Sequence, residues 1–242
     1  MHEFPLFGAS IATASGYIPA GTCSLCGRSG SDRLRLGTGT DVIHTCGGCK
    51  REFAVPANKH EGVSVKCPGC AAAAPIRPLG DRPATCVPCL RNGRAAFTKD
   101  TEYGMVRWEG AIHGVTHGAP GLRAAGPGLA LTDPNGEGWV GVMIPTTVLL
   151  ELVRTPTYVT WQGDQWLFCC AAAMVYIGEW SQAEFISRAP SDPQACFLEV
   201  VEGAEPWMWG RVPKQIQPNS EWGFYIFTCY TCGRVRGHFD MT

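Results

Sequence analysis

The chain has 242 residues, a formal net charge of −1 and 45% hydrophobic residues, so it can form one small metal-binding module and one ordinary domain. No stretch approaches the roughly 18 uncharged apolar residues of a membrane span. The first twenty residues also lack the basic and apolar regions of a signal peptide. We therefore expect a soluble, cytoplasmic protein with no membrane partner.

Charge is unevenly distributed along the chain. Residues 1–100 carry a formal charge of +5, and the remaining residues carry −6. Two zinc ions, each bound by four thiolates, would bring the first part to about +1. Nucleic-acid binding depends on basic side chains that meet phosphates. Nucleic acid is therefore not the expected partner.

Four C-x-x-C pairs follow one another within the first 90 residues. They are Cys23/Cys26, Cys46/Cys49, Cys67/Cys70 and Cys86/Cys89. A C-x-x-C turn directs two thiolates to one point, and tetrahedral zinc needs two such turns. The eight cysteines therefore predict two closed zinc sites, each with four cysteine ligands. A disulfide framework is the alternative, but the total of 13 cysteines is odd and disulfides require an oxidising compartment.

The pairs can share zinc sequentially, or the inner two can bind one ion while the outer two enclose them. The inner stretch resembles a small zinc-ribbon module of bacterial proteins, in which F-x-V-P leads to V-x-C-P-x-C. Its alternating apolar residues predict short strands. They are Phe53, Val55, Val63 and Val65. This resemblance favours the nested arrangement and leaves the sequential one open.

The segments around these pairs have simpler patterns. The first 22 residues predict an arm that docks through apolar anchors, which are Phe4, Leu6, Phe7, Tyr17 and Ile18. Residues 34–36 and 42–43 predict a strand pair with a turn at 37–40. The proline-punctuated stretch 71–83 predicts a linker, and a short helix or turn follows Cys89.

Residues 110–138 contain many glycines and predict a long loop. His113 and His117 within it have the i, i+4 spacing of a helical metal site. Since a glycine-rich segment disfavours a helix, we interpret both as exposed histidines without a metal.

The second half predicts more regular elements. Thr146 or Thr147 is positioned to cap a helix over 148–154. Residues 181–184 have capping-box spacing and predict a second short helix. Residues 224–240 predict a β-hairpin that turns at a fifth C-x-x-C pair, Cys229/Cys232.

Cys229 and Cys232 form only half of a zinc site. The other candidate ligands are Cys169, Cys170, Cys196 and His238. Successive side chains of a strand point to opposite faces, so Cys169 is not expected to share a metal with Cys170. The favoured interpretation is that these cysteines pack as small apolar residues. The alternative is a third zinc site formed by Cys170, Cys229 and Cys232.

Four separate stretches resemble the CbrC family of bacterial proteins in their order along the chain. They are Cys23-Ser-Leu-Cys26-Gly27, Cys86-Val-Pro-Cys89 with the following Gly93-Arg-Ala-Ala96, Thr155-Pro156 with Trp161-Gln162, and Cys229-Tyr-Thr-Cys232-Gly233. The resemblance implies zinc binding and a role in tolerance to a colicin-like toxin. It also implies that the inner ribbon is an insertion, which favours nested pairing.

Together these patterns predict an α+β protein with two domains. Residues 1–100 form a zinc-ribbon region, in which outer knuckles 23–26 and 86–89 enclose an inner ribbon, 46–70. Residues 101–242 form a small mixed α+β domain, similar to the CbrC family, that ends in the hairpin.

The predicted function is a non-catalytic zinc-binding protein that acts in toxin tolerance or immunity by binding a protein partner. The acidic second half suits a basic bacterial toxin, and it is rich in tryptophan, of which at least half should be core residues. Seven of the eight tryptophans in this half make up the set, namely Trp139, Trp161, Trp166, Trp180, Trp207, Trp209 and Trp222. The sequence predicts no particular partner-binding residue. The alternatives are a zinc-dependent hydrolase, a nucleic-acid-processing enzyme and a zinc-ribbon nucleic-acid-binding protein.

Overall fold

The computed structural model describes residues 3–60, 64–217 and 220–242, and these residues form a mixed α+β fold of many small sheets. The strands are β1 Tyr17–Gly21, β2 Ser31–Arg35, β3 Thr40–Thr45, β4 Glu52–Pro56, β5 Ser64–Lys66, β6 Ala73–Pro75, β7 Ala84–Cys86, β8 Ala95–Phe97, β9 Lys99–Thr101, β10 Gly104–Val106, β11 Ala119–Pro120, β12 Ala130–Leu131, β13 Trp139–Val140, β14 Val142–Met143, β15 Gln165–Trp166, β16 Phe168–Cys169, β17 Ala172–Ala173, β18 Val175–Glu179, β19 Trp222–Thr228 and β20 Val235–Met241. The helices are α1 Val87–Arg91, α2 Trp108–His113, α3 Thr146–Val153, α4 Gln182–Arg188 and α5 Pro193–Val200. Within the described residues, no helix is long and apolar enough to cross a membrane.

Two antiparallel three-stranded sheets organise the first hundred residues. One has the order β1-β2-β7 and the other β4-β3-β8. The strands expected over 34–36 and 42–43 are present as parts of β2 and β3, but their expected pairing was wrong. Strand β2 lies between β1 and β7, whereas β3 lies between β4 and β8. The pairing of β2 with β7 places Cys86 opposite Arg33. This register brings the second outer cysteine pair to the first.

The inner ribbon has a small core of its own. It consists of the hairpins β3–β4 and β5–β6. Its core residues are Cys46, Phe53, Val55, Cys67 and Ile76. The alternation predicted for Phe53 and Val55 is confirmed, since both side chains are buried in β4. Val65 lies in β5, whereas Val63 lies outside the described residues.

The main core draws residues from both sides of residue 100, and the domain boundary there stays a prediction. The N-terminal arm contributes Phe4, Leu6 and Phe7, all buried as expected. Phe7 forms a bridge with Tyr176 of β18, and the two ring centroids are 5.2 Å apart. The arm is thus a structural part of the core.

The glycine-rich segment is more ordered than the sequence predicts. Helix α2 reaches His113 inside it, and β11 and β12 also lie there. The helix ends at Gly114, which has a φ of +70°. After the helix, Thr116 holds the chain against two other segments. Its hydroxyl donates to the Tyr103 carbonyl at 3.1 Å and accepts the Val142 N–H at 2.9 Å.

The two predicted helix starts had different outcomes. The capping box is confirmed, since the Ser181 hydroxyl accepts the Ala183 N–H and Glu184 accepts the Ser181 N–H at 2.7 Å. The expected threonine cap of α3 was wrong. That helix starts at Thr146, directly after Pro145, and no side chain in the described part of the molecule caps it.

The structure contains the predicted C-terminal hairpin as β19 and β20, which form the sheet β18-β19-β20. Successive side chains of β19 enter two different cores. Tyr225 and Phe227 face the main core, whereas Phe224 and Ile226 face a second core with Phe185, as the two-residue period of a strand requires. The hairpin therefore holds the two cores together.

Candidate metal centres

Four of the five C-x-x-C turns have the same backbone geometry. The N–H of the first cysteine donates to the carbonyl five residues later, and the N–H four residues later donates back to the carbonyl of that cysteine. The first cysteines are Cys23, Cys46, Cys67 and Cys229, with all eight bonds between 2.8 and 3.0 Å. The residues four positions later have a left-handed φ, namely Gly27 (+74°), Lys50 (+62°), Ala71 (+57°) and Gly233 (+72°).

This turn places both sulfurs on one side of the loop. In each of the four turns the first cysteine is buried and the second is exposed. The fifth pair is built differently, since Cys86 immediately precedes helix α1 and Cys89 lies within it. The N–H of Cys86 also donates to the sulfur of Cys23 at 3.3 Å. One knuckle and one helix start therefore form the outer group.

The outer group brings together Cys23, Cys26, Cys86 and Cys89, with all sulfurs within 4.8 Å of one another. The Cys23–Cys89 and Cys26–Cys86 sulfurs are 3.9 and 3.8 Å apart. Sulfurs about 2.3 Å from a tetrahedral zinc ion would be about 3.8 Å apart, whereas a disulfide joins sulfurs at about 2.05 Å. The group thus has the dimensions of a zinc site with four cysteine ligands.

The inner group brings together Cys46, Cys49, Cys67 and Cys70. The Cys46–Cys70 and Cys49–Cys67 sulfurs are each 3.6 Å apart. These two groups correspond to the nested arrangement of the pairs, with the inner ribbon enclosed by the outer knuckles.

A third group contains Cys169, Cys170, Cys229 and Cys232. The Cys169 sulfur is 3.5 Å from that of Cys232 and 3.8 Å from that of Cys170. We expected that Cys169 and Cys170 could not direct their sulfurs to the same metal ion, and this expectation was wrong. Strand β16 ends at Cys169, and Cys170 and Ala171 have φ of +53° and +57°, so the chain turns before the strand alternation applies.

The sequence offered no signal for this turn, because neither Cys170 nor Ala171 is a residue that favours a left-handed backbone. Of the other candidates, Cys196 is a half-buried cysteine on α5, outside all three groups. His238 contacts Tyr158 instead, with the ring nitrogen Nε2 2.8 Å from the hydroxyl oxygen.

The chemistry of the three groups suits a divalent cation. In the Cys23 thiol, burial favours the neutral form but is outweighed by N–H bonds from Cys86 and Cys26, which lower its pKa to about 6. Backbone N–H bonds from Cys49 and Gly48 lower the pKa of Cys46 to about 6. Each of these groups therefore contains a thiol that readily loses its proton.

The third group has the same property. Burial of Cys229 is outweighed by backbone N–H bonds from Cys232 and Thr231, which lower its pKa to about 7. Burial and the neighbouring Cys232 raise the pKa of Cys169 to about 12. Four thiolates this close repel one another without a cation, so the donor set and its spacing fit a metal ion such as zinc.

Arginine side chains support the outer group. Arg94 directs Nη1 to the Cys89 sulfur at 3.7 Å and donates from Nη2 to the Leu25 carbonyl at 2.9 Å. Arg77 donates to the carbonyls of Ser24 and Leu25. These contacts brace the first knuckle and place positive charge beside the thiolates.

The histidines of the glycine-rich segment are not brought into a metal site. His113 lies in the last turn of α2, and His117 follows beyond the helix end. The His117 ring packs against Trp139, with centroids 5.7 Å apart. Among the described residues, neither histidine belongs to a group that could hold a metal ion.

The fold and the three cysteine groups define a small α+β protein with three sites that could hold a metal ion. The chain belongs to the uncharacterised protein family UPF0167, whose family model matches residues 65–241. The matched region contains the whole third group but only Cys67/Cys70 and Cys86/Cys89 of the other two.

One curated relative is the UPF0167 protein PA1536 of Pseudomonas aeruginosa, which is 28% identical over 89 residues. These residues make up 37% of this chain and 49% of the relative, so the match spans about half the length of that protein. No solved structure matches the chain.

Proposed function

We propose that this protein is a non-catalytic zinc protein with three four-cysteine centres, which acts by binding a protein partner. The single observation that carries the proposal is the geometry of the cysteines. Three groups of four sulfurs, each within 4.8 Å of one another, lie at turns between paired strands of the small sheets and at the start of α1.

Closed thiolate sets support a structural role for the metal. A catalytic zinc ion keeps an open position for water or substrate, whereas four cysteines fill the tetrahedral shell. In this proposal the metals stabilise short hairpins that have little apolar surface of their own. The thiolate ligands also need reducing conditions, so the proposal includes a cytoplasmic location.

The proposed partner is a basic protein, and the proposed process is tolerance to a colicin-like toxin. The support is the formal charge of −6 on residues 101–242 and the resemblance of the sequence motifs to the CbrC family. Of the eight tryptophans in this half, Trp161 and Trp207 are exposed and available for contact.

Elemental analysis of the purified chain tests the metal part. We expect three zinc ions per chain, and two in Cys229→Ser, because the third centre then lacks one ligand. Cys196→Ser is the matched control and should retain three, since Cys196 lies outside the groups. A wild-type value of two with an unchanged value in Cys229→Ser would overturn the third centre, and a value near zero would overturn all three.

Survival under toxin challenge tests the functional part. Cells that express the chain should survive exposure to a basic, colicin-like toxin better than cells that lack it. Cells that express Cys86→Ser should lose this protection, because the variant breaks the outer centre, three of whose cysteines lie in the main core. The Cys196→Ser control should protect. Equal survival with and without the protein would contradict toxin tolerance but leave the metal assignment intact.

A further inference from the structure

A cavity on the C-terminal half is separate from all three cysteine groups. Its volume is about 600 Å³, within the range of pockets that hold ligands. The lining consists of Thr13, one wall formed by the chain at 159–161, a second wall formed by Ile216, Gln217 and Ser220, and a floor formed by strand β19 with Glu179 of β18. The two walls are joined by Trp161, whose Nε1 donates to the Ser220 carbonyl at 2.9 Å.

The floor carries the one acidic residue of the described lining, Glu179. Glu179 lies opposite Tyr225 in the register of β18 and β19 and is half-buried. No residue of the described ranges donates a hydrogen bond to its carboxylate or forms an ion pair with it, and the residues that line the cavity include no lysine or arginine. A half-buried carboxylate in this position lacks the counter-charge that burial normally requires.

The other acidic groups nearby are already engaged. Asp240 accepts the N–H groups of Trp161 and Gln162 and the Tyr225 hydroxyl, at 2.8, 3.1 and 2.9 Å. Glu184 accepts the capping-box bonds of Ser181. Burial, followed by repulsion from Asp240 and Glu184, raises the pKa of Glu179 to about 7. Glu179 is therefore only partly ionised at neutral pH, and no cation of the described chain stabilises its charged form.

The walls suit the stem of a long basic side chain. Val159, Trp161 and Ile216 are 62, 47 and 49% exposed, so three large apolar side chains face solvent around one carboxylate. Lysine and arginine bury an apolar stem while the charged head reaches a polar group. Trp161 can add a cation–π contact to such a head group.

We infer that this cavity receives an arginine or lysine side chain presented by a protein partner. The charged head pairs with Glu179, and the stem lies between the apolar walls. A protein is the proposed source because the three apolar residues continue outward onto the surface, where a polypeptide would cover them and a small free cation would not. The inference deepens the proposed function and rests on its claim that the chain binds a basic protein.

The first test is a titration of the full metal-loaded chain with the peptide Ac-Leu-Arg-Leu-amide, followed by NMR of the tryptophan indole N–H groups. We expect the Trp161 signal to shift. The same peptide with citrulline in place of arginine, which has nearly the same shape without the charge, should bind on the order of tenfold more weakly.

Variants locate the contact. Glu179→Gln should weaken binding of the arginine peptide on the order of tenfold and remove its preference over citrulline. Glu199→Gln, an exposed acid on α5 outside the cavity, is the matched control and should bind like the wild type. Ile216→Ser, on the exposed wall, should weaken both peptides equally. Metal content and the thermal midpoint of each variant verify that it is folded.

Several outcomes would overturn the inference. They are equal binding of the two peptides, an unchanged affinity in Glu179→Gln, and binding of free arginine amide as tight as that of the peptide. These results separate the inference from the proposed function. If cells expressing Glu179→Gln survive the toxin like wild-type cells, the cavity assignment fails while the proposed function stands. If the chain gives no protection but binds the arginine peptide in a Glu179-dependent way, toxin tolerance fails while the cavity assignment stands.

Discussion

At the scale of single residues, Lys99 is the most deeply buried charge in the described chain. Its side chain has no exposed surface, and Nζ lies 3.4 Å from Asp164 Oδ2. The rings of Phe97 and Trp166 lie 5.5 and 5.4 Å from Nζ. Burial lowers the pKa of Lys99 to about 8, although Asp164 opposes that shift. The folded state thus carries an unfavourable charge below pH 8.

Removal of the Asp164 carboxylate should increase the free-energy cost of burying a charged Lys99. We expect Asp164→Asn to lose about 1–1.5 kcal/mol of unfolding free energy at pH 7, because Lys99 then gives up its proton in the folded state, one pH unit below its folded pKa of about 8. Asparagine can still accept the Trp166 Nε1–H, which is 3.0 Å from Asp164 Oδ2, so the loss reports the charge. The double variant Lys99→Met/Asp164→Asn should recover most of the stability.

The pH dependence has a definite sign. Lys99 loses its proton near pH 8 in the folded state but near 10.4 when unfolded, so its contribution to stability rises with pH across that window. The deficit of Asp164→Asn should therefore shrink as pH increases from 7 to 9.5 in denaturant titrations. A deficit that stays constant with pH, or that the double variant fails to reduce, would contradict the assigned role of the buried charge.

At the scale of elements, the knuckle turn recurs four times with the same hydrogen bonds but with different residues at its left-handed position. Two of the turns use glycine, which adopts this backbone without steric cost. The inner ribbon instead uses Lys50 and Ala71. A left-handed backbone costs a non-glycine residue about 1–2 kcal/mol. The ribbon turns are thus less favourable than the outer knuckle.

Ala71→Gly should relieve part of this cost. The expected net gain is about 0.5–1 kcal/mol, since glycine also loses more entropy on folding. Zinc at the inner centre should bind about two- to fivefold more tightly in a chelator competition. Ala72→Gly, at the next position and without a positive φ, is the control and should show no gain. Equal effects of the two substitutions would rule out the backbone explanation.

At the scale of the whole molecule, the cysteine groups differ in what they support. Cys46 and Cys67 belong to the separate small core of the inner ribbon. Cys23, Cys86 and Cys89 belong to the main core, which also contains Cys229. Loss of the inner metal should therefore be a local event, whereas loss of the outer metal should affect the whole fold.

Two matched cysteine variants test this difference. Cys67→Ser should unfold β5 and β6 and move the main thermal transition by less than about 3 °C, whereas Cys86→Ser should lower it by about 10 °C or more. Hydrogen exchange should show loss of protection confined to the inner ribbon in the first variant and spread across β1, β2 and β7 in the second. Similar global losses in both variants would show that the ribbon is not independent.

The sequence by itself determined the local parts of this protein. The C-x-x-C spacing, the alternating pattern of β4, the capping box at Ser181 and the C-terminal hairpin all depend on residues close in the chain, where backbone geometry leaves few choices. The nested order could be favoured from the sequence because the inner ribbon resembles a self-contained module.

Only the tertiary structure decided which distant elements meet. The pairing of β2 with β7 depends on closing the outer cysteine group, and no residue near the turn at 37–40 encodes it. The third group depends on a left-handed turn at Cys170 that another hairpin, β19–β20, completes. Glu179 has no ion-pair partner among the described residues, and its half-buried position likewise exists only because segments from distant parts of the chain surround it. Such features result from packing and electrostatic interactions between residues that are far apart in the chain, and local sequence patterns do not predict them.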